Sequence, residues 1–150
     1  MIRKILLLLL ITALTSCGYS SIYAKKNDSE LIINKYQLNG DKKLTRQIVS
    51  LLGLKSKNKE ETEYELIIDS KKKLETVAKD QTGNISVYRT SISIKILLNK
   101  KSETLKQKEF NSSFTYNNLE NKFDLSEYQK NIEKNLINKM VEEIFIYLNT

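Results

Sequence analysis

The chain has 150 residues, with 25 Lys or Arg against 18 Asp or Glu and a formal net charge of +7. It holds no histidine, tryptophan or proline, a single cysteine and only four glycines. That composition excludes the commonest general base, the usual metal ligands and any internal disulfide, and leaves little for glycine-rich phosphate loops; carboxylate-only catalysis would need an acidic cluster that the sequence does not offer.

Arg3 and Lys4 give a positive start, and residues 5–14 form an apolar run broken only by Thr12. Ten residues are about half of the ~20 needed to cross a bilayer as a helix. A charged start, a short apolar core and small residues before a cut describe a secretory leader. The leader closes on Leu14-Thr15-Ser16-Cys17, whose apolar, small, small, Cys order resembles the lipobox of bacterial lipoproteins. Residues 1–16 are therefore expected to be a signal peptide, and Cys17 to be the mature first residue. It would carry covalent N-acyl and diacylglyceryl chains, with no other cofactor and no metal. The leader takes two of the basic residues and no acidic ones, leaving 23 against 18, a net charge near +5.

Residues 17–29 are polar and small and read as a lipidated tether, with Tyr19 and Ile22 near the membrane interface. A single domain is expected over residues 30–150. Leu31, Ile32 and Ile33 begin a strand directed towards Leu38. Asn39-Gly40-Asp41 breaks it, and Asp41 can cap the helix that follows. Leu44, Ile48, Leu51 and Leu52 form one apolar stripe, and Gly53 suits the helix exit. Residues 55–61 are charged with almost no apolar content and read as loop.

From Glu63 the period changes from 3.6 to 2. Tyr64, Leu66, Ile68, Leu74, Thr76 and Ala78 share one face; after residues 80–84, Tyr88, Thr90, Ile92, Ile94, Ile96 and Leu98 do the same. One buried and one wet side is the mark of an antiparallel sheet covered on a single face. A five-residue loop over 80–84 sets Glu75 opposite Arg89 and Asp69 opposite Lys95. A three-residue loop would set Lys71 against Lys95, so the longer loop is expected. That register also sets Val77 opposite Val87 and leaves Lys72 on the core face, where a bulge or splayed end is expected. After a turn at 99–102, a further strand runs to about Tyr116 with Phe110, Phe114 and Tyr116 inward. Asp124 and Glu127 look like a capping box. Leu125, Tyr128, Ile132, Leu136, Met140, Val141, Ile144, Phe145 and Leu148 then mark a long helix. The fold class expected is α+β: a two-layer sandwich of a mostly antiparallel four-stranded sheet with two helices on one face.

This order, joined to the lipobox, resembles the LPS-assembly lipoprotein family (LptE, formerly RlpB), particularly its alphaproteobacterial members. The likeness begins at Cys17-Gly18-Tyr19-Ser20-Ser21-Ile22-Tyr23, although proline often fills the place of Ser21. It continues at Val87-Tyr88-Arg89-Thr90 and at Phe114-Thr115-Tyr116-Asn117 before the long helix, and it covers nearly the whole mature chain. The resemblance implies a non-enzymatic outer-membrane lipoprotein of Gram-negative cells, lipid-anchored and facing the periplasm. Its implied partners are the large β-barrel LptD, which it plugs and helps to fold, and lipopolysaccharide. Gly18 after the cysteine, in place of Asp, is compatible with outer-membrane sorting. A secretion pilotin or a ligand-binding lipoprotein would share the lipobox, size and class.

Lysine, asparagine and isoleucine recur throughout, as an AT-rich genome would give regardless of function, and no nucleic-acid partner is expected. Arginine occurs only at positions 3, 46 and 89. Its planar fork binds phosphate bidentately where lysine cannot, which singles out Arg89. Lys71, Lys73 and Lys95 share its strand face, so these four residues are the candidate ligand-binding set. At the hairpin tip Val77, Ile85 and Val87 fall on the side that should be wet, and are the candidate partner contacts.

Overall fold

The computed structural model describes residues 32–33, 35–56 and 64–150. The leader, Cys17 and the tether lie outside the described residues. The elements, in chain order, are β1 (Ile32–Ile33), β2 (Lys35–Gly40), α1 (Lys42–Leu52), β3 (Lys55–Ser56), β4 (Tyr64–Lys79), β5 (Ile85–Lys100), β6 (Glu103–Asn117) and α2 (Lys122–Asn149). The main sheet has the order β2-β4-β5-β6, parallel between β2 and β4 and antiparallel elsewhere. Both helices pack against it, so the fold is a two-layer α+β sandwich.

The β2–α1–β4 crossover is fixed by residues that end one element and start the next. Gly40 takes φ +75° as β2 stops. Asp41 then caps α1, its Oδ1 accepting from the amides of Lys43 and Leu44, both at 3.1 Å. Beneath the cap, the buried hydroxyls of Thr45 and Ser70 are 2.6 Å apart. Thr45 Oγ1 also donates to the carbonyls of Asn39 and Asp41, so β2, α1 and β4 are tied at one polar point. Buried polar groups are tolerable only when satisfied in this way. Gly53 ends α1 in the left-handed conformation, its amide on the Val49 carbonyl.

Alternation builds the rest of the core. Leu66 and Ile68 on β4, Ile92, Ile94, Ile96 and Leu98 on β5, and Phe110 and Tyr116 on β6 are buried on one side of the sheet. The apolar stripes of α1 and α2 cover that side. α2 spans 28 residues, about 42 Å at 1.5 Å per residue, long enough to run the length of the strands.

The five-residue loop at 80–84 is present, with Glu75 opposite Arg89 and Asp69 opposite Lys95. Asp80 Oδ1 organises the loop by accepting from the amides of Thr82 and Asn84 and from the Thr82 hydroxyl. The register departs from expectation beyond Thr76. Val87 faces Ala78, not Val77, because Val77 is an extra residue at a register shift. At the same end of the sheet Asn118 extends the β5–β6 side, its backbone amide donating to the Ser86 carbonyl and its side-chain amide to the Ile85 carbonyl. The irregularity expected near Lys72 is absent; Lys72 pairs regularly with Ile92. Its Nζ instead reaches Glu133 on α2 at 2.9 Å, so a helix carboxylate meets the charge on the core face.

Three further expectations change. Lys55–Ser56 is not loop but pairs in parallel with β1, while residues 57–63 lie outside the described residues. α2 starts earlier than a cap at Asp124 implies. Asn121 caps it, accepting from the Phe123 amide at 2.9 Å, and Asp124 falls in the first turn, where a negative charge complements the helix dipole. Phe114 keeps its inward register but remains 47% exposed, lining a cleft between β6 and α2.

Candidate functional site

The sheet face turned away from the helices is built in rungs, one residue from each long strand. Successive rungs are Asp69–Lys95–Glu109, Lys71–Ser93–Asn111, Lys73–Ser91–Ser113 and Glu75–Arg89–Thr115. The two middle rungs carry lysines and small hydroxyl or amide side chains only; the carboxylates are confined to the outer two. Small residues in the middle of a twisted sheet leave a hollow. Here it is an open trough of about 450 Å³, bordered by Lys71, Lys73, Ser91, Ser93, Asn111 and Ser113.

The charges along the trough are neutralised only in part. Lys73 Nζ lies 2.7 Å from Glu75 Oε1. Hydrogen bonding and charge from Lys73, with a smaller contribution from Arg89, hold the Glu75 carboxyl below its usual range. Ser93 donates to Glu109 at 2.9 Å, and this bond, aided by Asn111, Lys95 and Lys71, lowers Glu109 likewise. Both carboxylates therefore stay ionised through the neutral and mildly acidic range. Among the described residues neither Lys71, Lys95 nor Arg89 forms an ion pair. Arg89 faces Glu75 in register, yet its Nε donates to Thr115 Oγ1 at 3.1 Å. That bond aims the guanidinium along its rung and leaves donors of its fork for another acceptor.

The four candidate ligand-binding residues thus share one face, with Lys71 and Lys73 at its centre and Arg89 and Lys95 on the flanking rungs. Sequence reasoning placed Ser91 and Ser93 on this face but missed Glu109 and the polar residues that β6 adds, Asn111, Ser113 and Thr115. Both were legible from β6, where Phe110 inward forces Glu109, Asn111, Ser113 and Thr115 outward. The candidate contacts at the tip are brought to one end of the sheet but not into one pair. Val77 is 45% exposed at the register shift, while Ile85 and Val87 are half-buried opposite Lys79 and Ala78. Among the described residues no cluster of acidic, histidine or cysteine side chains is placed to hold a metal, and no helix is long and apolar enough to cross a membrane.

These features define a class of protein: a two-layer α+β sandwich with one sheet face covered for most of its length by helices and the other open, polar and ridged with cations. Solved structures of several bacterial lipoproteins share this fold. Rare lipoprotein B from Shewanella oneidensis matches with a TM-score of 0.58 at 15% identity, over 77% of this chain and 93% of that one. Lipoprotein B from Nitrosomonas europaea gives 0.59 at 11% identity, over 79% and 84%. A minor lipoprotein from Acinetobacter baumannii gives 0.56 at 11%, over 77% and 90%. No family model and no curated protein matches the sequence. The chain has the fold of rare lipoprotein B, the fold expected from the sequence resemblance.

Proposed function

We propose that the chain is an envelope lipoprotein, anchored in the outer membrane through acylated Cys17 and facing the periplasm, that binds lipopolysaccharide and works with the β-barrel LptD to deliver it to the outer leaflet. The observation that carries this reading is the rare lipoprotein B fold in a chain whose leader ends in Leu14-Thr15-Ser16-Cys17. The trough supplies a chemistry consistent with it. Phosphorylated acidic sugars present anionic groups for Lys71, Lys73 and Arg89, and hydroxyls for Ser91, Ser93 and Ser113.

The anchor is tested first. Each methylene buried in the bilayer contributes ~0.8 kcal/mol, and two or more chains anchor stably where one does not. Cys17→Ala is expected to leave the protein unprocessed or released from the membrane, whereas the wild type purified from its own membrane brings a large β-barrel with it. A Cys17→Ala protein of mature size that is still acylated, or a wild type recovered without any barrel, would count against the reading.

The ligand face is tested by charge. Hydrogen bonds to charged groups contribute ~1.5–3 kcal/mol, so losing one weakens binding roughly tenfold or more. The paired substitution Lys71→Ala, Lys73→Ala is expected to lower affinity for lipopolysaccharide by at least that factor, with Arg89→Lys producing a smaller loss. The melting midpoints should hardly move, because these side chains are exposed. Wild-type affinity in both variants would mean that the face is only solvated.

A further inference from the structure

β6 is the free edge of the main sheet: among the described residues it pairs with β5 alone. Long unpaired edges invite strand addition, and proteins blunt them with charge, bulges or a covering element. β6 does this over its first half only. Glu103, Lys106, Lys108 and Glu109 supply charge there, and a register shift falls between Leu98 and Asn99 on the partner strand. Lys106 Nζ also ties the strand to the end of α2, donating to the carbonyls of Tyr147 and Leu148 at 3.1 and 3.2 Å. From Phe110 to Asn117 the strand has no charged residue.

Beside this unprotected half lies the cleft that exposes Phe114. Its volume is about 370 Å³; β6 borders it with Ser113 and Phe114, and α2 with Tyr128, Ile132, Leu136 and Lys139. Asn131 and Asn135 add two amides along the helix wall. Phe114 and Tyr128 are 47% and 40% exposed, so among the described residues the cleft holds uncovered aromatic surface. Lys139 forms no ion pair among the described residues, although Glu142 and Glu143 follow one turn later.

We propose that the β6 edge at Asn111–Thr115, with the adjoining α2 cleft, is a strand-addition site for an extended segment of a partner protein bearing an apolar side chain and a carboxylate. An open edge next to a side-chain pocket is the arrangement that strand-adding recognition uses, where the backbone gives affinity and the pocket gives specificity. Charge selects the occupant. The lysine at the cleft and the net charge near +5 of the chain from Cys17 onward (23 basic against 18 acidic residues) favour an acidic segment over a second copy of this basic chain. Alternate residues of a strand share a face, so an apolar residue and an acid two positions apart would reach Phe114 and Lys139 together. Asn111 and Ser113 also border the trough, but the strand-addition site uses the edge amides and the α2 cleft, so it does not depend on the lipopolysaccharide reading.

The test uses the full lipidated chain in detergent and the peptide acetyl-Thr-Phe-Thr-Asp-Thr-Val-Thr-amide. Saturable binding is expected, with amide exchange at residues 111–115 slowed at least tenfold at saturation. The same peptide N-methylated at alternate residues should do neither. Lys139→Glu should weaken binding at least tenfold, and a peptide with Lys in place of Asp should recover it. The proposal fails if no saturable binding is seen, or if N-methylation makes no difference. It also fails if myristate fills the cleft while the edge amides exchange as before, which would make it an acyl site. Concentration-dependent dimerisation that protects the same amides without peptide would assign the edge to a second copy and overturn it too.

Discussion

Ile144→Ala is expected to lower the unfolding free energy by about 2–5 kcal/mol, a large share of the ~5–15 kcal/mol that a domain commands. Ile144 is 0% exposed and belongs to the cluster that both helices and the sheet share. Truncation leaves a cavity that the surrounding Ile and Leu side chains fill only in part. Phe145, its neighbour, is half-buried and packs at the margin of the same cluster, so Phe145→Ala should cost clearly less. Urea melts monitored by circular dichroism separate the two: the midpoint falls further for Ile144→Ala, with the slope unchanged. Equal shifts for the two variants would mean that α2 is rotated about its axis relative to the sheet.

That difference marks how far periodicity reaches. A 3–4 spacing locates a stripe but not its centre line, so sequence reasoning put Ile144 and Phe145 on one footing and passed over Ile137, which is 0% exposed. The period-2 segments were more informative. Their parity, with the cost of setting Lys71 against Lys95, was enough to select the five-residue loop and the Glu75–Arg89 and Asp69–Lys95 pairs. Where the ladder is interrupted, or a residue distant in sequence intervenes, parity fails. Val77 falls at a register shift, and Lys72 is met by Glu133 on α2. The parallel pairing of β2 with β4 was equally out of reach, since alternation in a short strand says which side is buried, not which neighbour it has.

The candidate ligand face was legible as a set of cations on two strands. Its concavity was not, because the hollow arises from Ser91, Ser93, Asn111 and Ser113 meeting across three strands. Small polar residues carry little signal until register stacks them. The free edge of β6 was invisible for a related reason: which strand ends a sheet depends on where β2 pairs.

Gly40→Ala is expected to be destabilising on two counts, and Gly83→Ala on one. Both glycines have positive φ, +75° and +86°, where a side chain costs of order 1–3 kcal/mol. Around Gly83 there is open space: a Cβ there has no heavy atom within 4 Å, and the loop can absorb the change. At Gly40 a Cβ would overlap the Ser70 carbonyl oxygen and come within 2.6 Å of Asp69 Oδ1. That oxygen cannot yield freely, because the Ser70 carbonyl accepts from the Asp41 amide at 2.8 Å, the bond that launches α1 from β4. Relief would have to separate β2 from β4 at the parallel crossover and loosen the Thr45–Ser70 tie. Overpacking of a tight site adds roughly 1–3 kcal/mol, so the total should be about 2–6 kcal/mol, against about 1–3 for Gly83→Ala. Thermal and urea melts of the two variants side by side test the geometry: if Gly40→Ala melts no earlier than Gly83→Ala, β2 does not press against Ser70 and the close parallel crossover is wrong.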